Sequence, residues 1–166
     1  ADRAPPAAAA DAPETRRIPT QLPARVRPVS YAILVTPDAA NLRFTGSVLS
    51  HIEVIEATDE IVMNAADLEM KSAQLISGVN DEVEATALSV DPDAQTVTIR
   101  FAGRIAPGRY RLNIDYTGKI YTQAAGLFAL DYESADGPRR ALFTQFEAPD
   151  ARRFFPGWDE PQFRTP

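Results

Sequence analysis

Apolar and polar residues alternate singly along most of this chain. In Gln95–Phe101, QTVTIRF, Val97, Ile99 and Phe101 face one way and Thr96, Thr98 and Arg100 the other. In Arg109–Thr117, RYRLNIDYT, Tyr110, Leu112, Ile114 and Tyr116 alternate with Arg109, Arg111, Asn113 and Asp115. A period of two marks strands with one dry face and one wet face, the habit of antiparallel sheets. Further strands are predicted over Tyr31–Thr36, Phe44–Ile55, Glu60–Asn64, Leu68–Ile76, Glu82–Val90, Gly126–Tyr132 and Arg140–Phe146.

The clusters TPDAAN, DPDA, GRIAPG and ADGP separate these runs and supply the Pro, Gly and Asp that tight reversals require. No amphipathic helix longer than two turns and no internal repeat is evident. The expectation is an all-β fold, a curved, saddle-like antiparallel β-sandwich.

Residues 1–27, ADRAPPAAAADAPETRRIPTQLPARVR, break the alternation. Their prolines remove backbone donors and favour extended forms, so a flexible Ala/Pro-rich tail is expected there and one β domain over 28–166. About 140 residues can bury roughly two-thirds of their unfolded surface, enough for a core without staples. A chain that starts at Ala1 with such a segment is expected to be exported, to the periplasm or the outside of the cell.

Charge and composition narrow the function classes. The net charge is −6, and the 17 Lys and Arg residues are scattered and outnumbered by 23 acids, so nucleic acid is not expected as a partner. No run reaches the ~18 apolar residues of a membrane span. Cys is absent, which removes disulfides, thiolate metal sites and a Cys nucleophile. The single histidine, His51, shares a strand face with Ser47, Leu49 and Glu53, opposite Val48, Ile52 and Val54, and reads as a surface residue. With no HExxH and no Gly-rich phosphate loop, the chain carries no nucleophile–base triad, catalytic zinc or nucleotide site of its own. The pairs Asp59/Glu60 and Asp81/Glu82 read as solvated turn charge, and Asp91 and Asp93 as turn formers around Pro92.

One stretch is denser than the rest. Phe143–Pro161, FTQFEAPDARRFFPGWDEP, packs aromatic rings, two arginines and four acids together. Phe143, Gln145 and Glu147 share one parity at a strand end and Thr144 and Phe146 the other, so Gln145 and Glu147 project from one face. Asp150 is placed to cap a short turn, with Arg152 and Arg153 in reach of local ion pairs. Phe154, Phe155 and Trp158 suit a core or an interface. Pro156 and Pro161 bar a long helix. The pattern describes a rigid, charge-rich junction and no reaction.

The segment TQFEAPDARRFFPGWDEPQF resembles the form TQFE-x-x-DARR-x-FPCWDEP-x-F that closes the N-terminal domain of the M1 zinc aminopeptidases. Upstream, RVRPVSYAILVTPDAANLRFTGSV, IVMNAADLEMKSA and YRLNIDYTGKI…GLFAL are similar to the family's opening strands, its N-A-x-D-L pattern and its Y-x-L-x-I-x-Y-x-G stretch. The resemblance covers about residues 25–166 in order. One departure is Gly157, where the family usually has Cys. Glu147 and the DARR…WDEP form point to the branch of the membrane alanyl and puromycin-sensitive aminopeptidases.

The resemblance implies a longer protein, in which a catalytic domain with GxMEN and HExxH holds the zinc and this chain binds no cofactor. It implies that Glu147 holds the free α-amino group of a peptide substrate and that Gln145 lines the first pocket. Asp150, Arg152, Arg153, Trp158 and Asp159 then form the structural junction. The partners implied are the peptide N-terminus and the protein's own catalytic domain, and the chain alone is expected to be inactive. Two other readings remain open: a non-catalytic M1-like interaction scaffold, and a stand-alone β-sandwich binding module, for example for carbohydrate.

Overall fold

The computed structural model describes residues 21–165. Ten strands follow in order: β1 Val26–Asp38, β2 Arg43–Val54, β3 Thr58–Asn64, β4 Leu68–Ser77, β5 Asp81–Glu84, β6 Ala87–Asp91, β7 Thr96–Ile105, β8 Gly108–Lys119, β9 Gly126–Ser134 and β10 Gly137–Gln145. The only helical element among the described residues is a 3-10 turn, Ala151–Arg153.

All strand pairings are antiparallel. A five-stranded sheet has the order β1-β2-β8-β4-β5, a three-stranded sheet the order β3-β7-β6, and β9 and β10 form a two-stranded ribbon. Val48, Ile52, Leu112, Ile114, Ala73 and Leu75 from the first sheet share one core with Ile61, Met63, Val97, Ile99 and Phe101 from the second. The chain is therefore an all-β sandwich, as the alternation predicts.

Two short motifs lock the middle of the five-stranded sheet. In FTG (Phe44–Gly46, β2) and YTG (Tyr116–Gly118, β8), Phe44 pairs with Gly118 and Gly46 with Tyr116. Each glycine leaves room for the other motif's ring: a Cβ built on Gly46 would overlap Tyr116, and one on Gly118 would overlap Phe44 and Leu68. The two rings meet edge-on at 6.2 Å. The exchange gives both rings full burial in a sheet whose strands could not otherwise accommodate them.

Several expectations need correction. The predicted strand Glu82–Val90 is two strands in different sheets. At the break, the Ala85 N–H donates to the Ala73 carbonyl and the Thr86 N–H to the Arg100 carbonyl, so the chain passes from one sheet to the other in a single step. Asp59/Glu60 and Asp81/Glu82 lie in β3 and β5 rather than in turns, and Glu60 is paired with Arg100 at 3.1 Å. The first strand starts at Val26, and Leu22 and Val26 are buried in the core, so the last part of the expected tail packs on the domain. Residues 1–20, with the flexible tail and the export expected from them, lie outside the described residues.

Other expectations hold. His51 is exposed while Val48, Ser50, Ile52 and Val54 are buried. Asp91 accepts the N–H groups of Asp93 and Ala94 at 3.0 Å, a turn former as read from its sequence.

Candidate functional site

The site grows from the end of the β9–β10 ribbon. Gln145, the last residue of β10, stands opposite Gly126, and Phe143 stands opposite Phe128 with rings 5.8 Å apart. Directly paired residues share a face, so Gln145 and Phe143 share theirs with Phe128, Leu130 and Tyr132. Leu130, Tyr132 and Phe143 are exposed there. Beyond β10, Glu147 is exposed, and its N–H donates to Gln145 Oε1 at 3.1 Å. This ties the two side-chain positions together locally. Phe146 turns back towards the domain and stacks on Phe154 at 5.2 Å. Phe154 in turn packs on Phe44 at 5.8 Å, which joins the segment to the sandwich core.

The chain then passes through a cis Ala148–Pro149 bond into the 3-10 turn. Asp150 does not cap that turn with its side chain. Its backbone lies at φ −103° and ψ −1°, outside the extended region a capping residue adopts. The carboxylate accepts Arg153 Nε at 2.8 Å instead.

Arg152 and Arg153 lead in different directions. The Arg152 side chain is 4% exposed and reaches Asp159 Oδ2 at 3.1 Å and the Asp159 carbonyl at 2.9 Å. Arg153 donates to Asp67 Oδ2 at 2.8 Å and to the Tyr121 hydroxyl at 3.3 Å. The Tyr121 hydroxyl also donates to Asp67, and Lys119 lies 3.3 Å from that carboxylate and 4.7 Å above the Tyr121 ring. Burial works to raise the Asp67 pKa. Hydrogen bonds from Tyr121 and Lys119, with the charges of Lys119 and Arg153, outweigh it and hold the carboxyl below its usual range. Burial first, and Asp67 second, push Tyr121 up to about 12.

The end of the junction is stitched to the body at four points. Asn64 and Gly157 exchange backbone hydrogen bonds of 2.7 and 3.0 Å, and Asn64 Oδ1 accepts the Asp159 N–H at 2.9 Å. Trp158 is buried, and its backbone N–H donates to the Tyr31 hydroxyl at 3.1 Å. Burial pushes Tyr31 up to about 12 despite that bond. The Glu160 carboxylate accepts the Leu22 N–H at 2.9 Å, which fastens the first described residues to the last. Asp67, Tyr121, Asn64 and Tyr31 escape local sequence reading, because their partners lie 32 to 127 positions away.

The acids of the dense stretch thus divide cleanly. Asp150, Asp159 and Glu160 are engaged by Arg153, Arg152 and the Leu22 N–H. Among the described residues, the Glu147 carboxylate has no such partner. The chain has no Cys and one His. Among the described residues, no three His, Cys, Asp or Glu side chains gather where a metal would be held.

Residues 27–166 match the family described as Peptidase M1 N-terminal domain. Over 151 residues the chain is 38% identical to an aminopeptidase N of Acetobacter pasteurianus, covering 90% of this chain and 41% of that protein. It is 35% identical over 156 residues to aminopeptidase M1-B of rice, Oryza sativa subsp. japonica, covering 94% of this chain and 18% of the relative. Against the puromycin-sensitive aminopeptidase of Caenorhabditis elegans the identity is 27% over 146 residues, covering 87% of this chain and 15% of the relative. The chain therefore spans well under half the length of these relatives.

Proposed function

The chain belongs to the Peptidase M1 N-terminal domain family, and on that premise we propose that it forms the amine-recognising part of a zinc aminopeptidase that trims peptides from their N-termini. The observation that carries the proposal is the uncommitted carboxylate of Glu147, exposed beside Gln145 at the end of a rigid junction whose other acids are engaged. A carboxylate held this way suits a cationic ligand. A peptide α-amine has a pKa of about 8, so at neutral pH it is mostly an ammonium ion and forms charge-assisted hydrogen bonds with a carboxylate. A peptide bond inside a chain offers no such cation. The contact therefore favours binding by the free end and gives exopeptidase selectivity. Gln145, alongside, contributes an amide to the wall of the first pocket.

The catalytic metal and its ligands belong, on this reading, to a domain outside these residues. Bound there, zinc would supply the Lewis acid and activated water of peptide hydrolysis. The chain's own part is to hold Glu147 and Gln145 at the mouth of that site, with the exposed face of Leu130, Tyr132 and Phe143 available to a neighbouring domain. The DARR…WDEP segment and the similarity to a puromycin-sensitive relative support the branch of the membrane alanyl and puromycin-sensitive enzymes.

Glu147→Ala in the full-length protein tests the role. Loss of a charged hydrogen bond worth roughly 1.5–3 kcal/mol lowers kcat/KM on an aminoacyl anilide by about 10- to 150-fold. Unchanged kcat/KM with intact folding would refute it.

A further inference from the structure

We infer that Tyr121 is a positioning residue for Gln145 and Glu147, an inference that rests on reading that pair as the amine contact. A two-stranded ribbon is marginally stable alone, so the ribbon needs outside anchors to present two side chains in a fixed place. At the end that carries Gln145, Tyr121 is one such anchor, beside the buried Leu127 and Ala129 and the Phe146–Phe154 contact. Its N–H donates to the Leu127 carbonyl at 2.9 Å, and its carbonyl accepts the Ala129 N–H at 2.8 Å. It thereby grips β9 on both sides of Phe128, the residue opposite Phe143.

The Tyr121 ring is held as firmly as its backbone. The hydroxyl donates to Asp67, a residue at φ +56° in the tight turn between β3 and β4, and accepts from Arg153 at 3.3 Å. The cations of Lys119 and Arg153 lie 4.7 and 5.7 Å from the ring centroid. Arg153 also abuts Gly126, where an added Cβ would come to 3.0 Å from the arginine Cβ. Gly126 is the partner of Gln145 across the ribbon. One knot thus fixes β9 against the body of the sandwich and sets the position of the strand end opposite it. Small displacements of a substrate-holding group are costly to an oriented complex, so the effect of the knot reaches the substrate through Gln145 and Glu147.

Tyr121→Phe keeps the ring and its cations and removes the hydroxyl bond; Asp67→Asn weakens the same bond from the other side and serves if the first variant misfolds. In the full-length protein, with an aminoacyl anilide, each raises KM by about 3- to 10-fold and leaves kcat unchanged. Each also speeds amide hydrogen exchange of the 143–147 segment. Tyr121→Phe raises KM by less in the Glu147→Ala background than in the wild-type protein, because one of the two residues being positioned is already gone and only Gln145 is left to respond. An unchanged KM, or a full additional rise in the Glu147→Ala background, overturns the inference. If Glu147→Ala itself leaves kcat/KM unchanged, the amine reading fails separately. Exchange of 143–147 then decides the positioning role: faster in Tyr121→Phe sustains it, and unaltered exchange ends it.

Discussion

Arg152 and Asp159 form the most buried ion pair among the described residues, with Nε 3.1 Å from Oδ2 and a second bond of 2.9 Å from the guanidinium to the Asp159 carbonyl. The pair closes the junction into a loop of its own. The Arg152 carbonyl meanwhile accepts the Ala66 N–H at 2.9 Å, and Asn64 Oδ1 accepts the Asp159 N–H. The two ends of the loop are thus bonded to the last residue of β3 and to the turn that follows it. Removing one partner of a buried pair leaves the other uncompensated. Arg152→Ala is expected to lower the unfolding free energy towards the low end of the ~3–5 kcal/mol range, since Asp159 keeps some contact with water. Urea unfolding of the chain measures this directly.

The exchange of rings between FTG and YTG predicts a second cost. Gly46→Ala puts a methyl group into the Tyr116 ring, which is fully buried. Overpacking of this kind destabilises by about 1–3 kcal/mol. Gly103→Ala, where a Cβ meets nothing within 4 Å, is the matched control and is expected to cost far less.

Stability should respond to pH at both extremes. Asp67 has a folded pKa below its ordinary value. Its contribution is therefore whole above the unfolded carboxyl pKa of about 3.9 and is lost as pH falls through the lower folded value. The stability gap between the wild-type chain and Asp67→Asn should close below about pH 4. Tyr31 and Tyr121 are shifted the other way, to about 12. Their contribution is whole below the unfolded tyrosine pKa of about 10 and is lost as pH rises towards the folded values. Melts monitored with phenolate absorbance should show loss of stability across that alkaline window, with a shallower slope in Tyr121→Phe.

The sandwich was legible in the sequence wherever one strand face is wet and the other dry. Val97, Ile99 and Phe101, and Leu112, Ile114 and Tyr116, are buried in the alternating pattern that predicts them. The Ala85–Thr86 crossing was not legible, because EVEATALSV has neither Gly nor Pro to punctuate it. Val83 and Val90, on either side, are also exposed, so the alternation there carries no information about a core. The cap expected from Asp150 failed for a different reason. The local ion pair expected with Arg153 does form, and it takes the carboxylate that the cap would have used.

At the site, parity placed Phe143 and Gln145 on one face, in keeping with their pairing opposite Phe128 and Gly126, but Glu147 lies in the turn beyond β10, where the alternation no longer applies. The grip of Asp67 and Tyr121 on Arg153 was invisible, since sequence separations of 86 and 32 residues place it beyond any local pattern. The role proposed for Glu147 comes from family resemblance. The geometry adds a physical reason for it, because the neighbouring acids are engaged and this one is not.

The most direct measurement of that role is a cycle between Glu147 and the substrate's own amine. Affinities of the full-length protein and of Glu147→Ala are compared for a dipeptide ligand and for its des-amino analogue, which keeps the side chains and lacks only the cation. In that role, Glu147→Ala weakens the dipeptide by about 10- to 150-fold and leaves the des-amino analogue unaffected. Equal weakening of both ligands, or of neither, would contradict it.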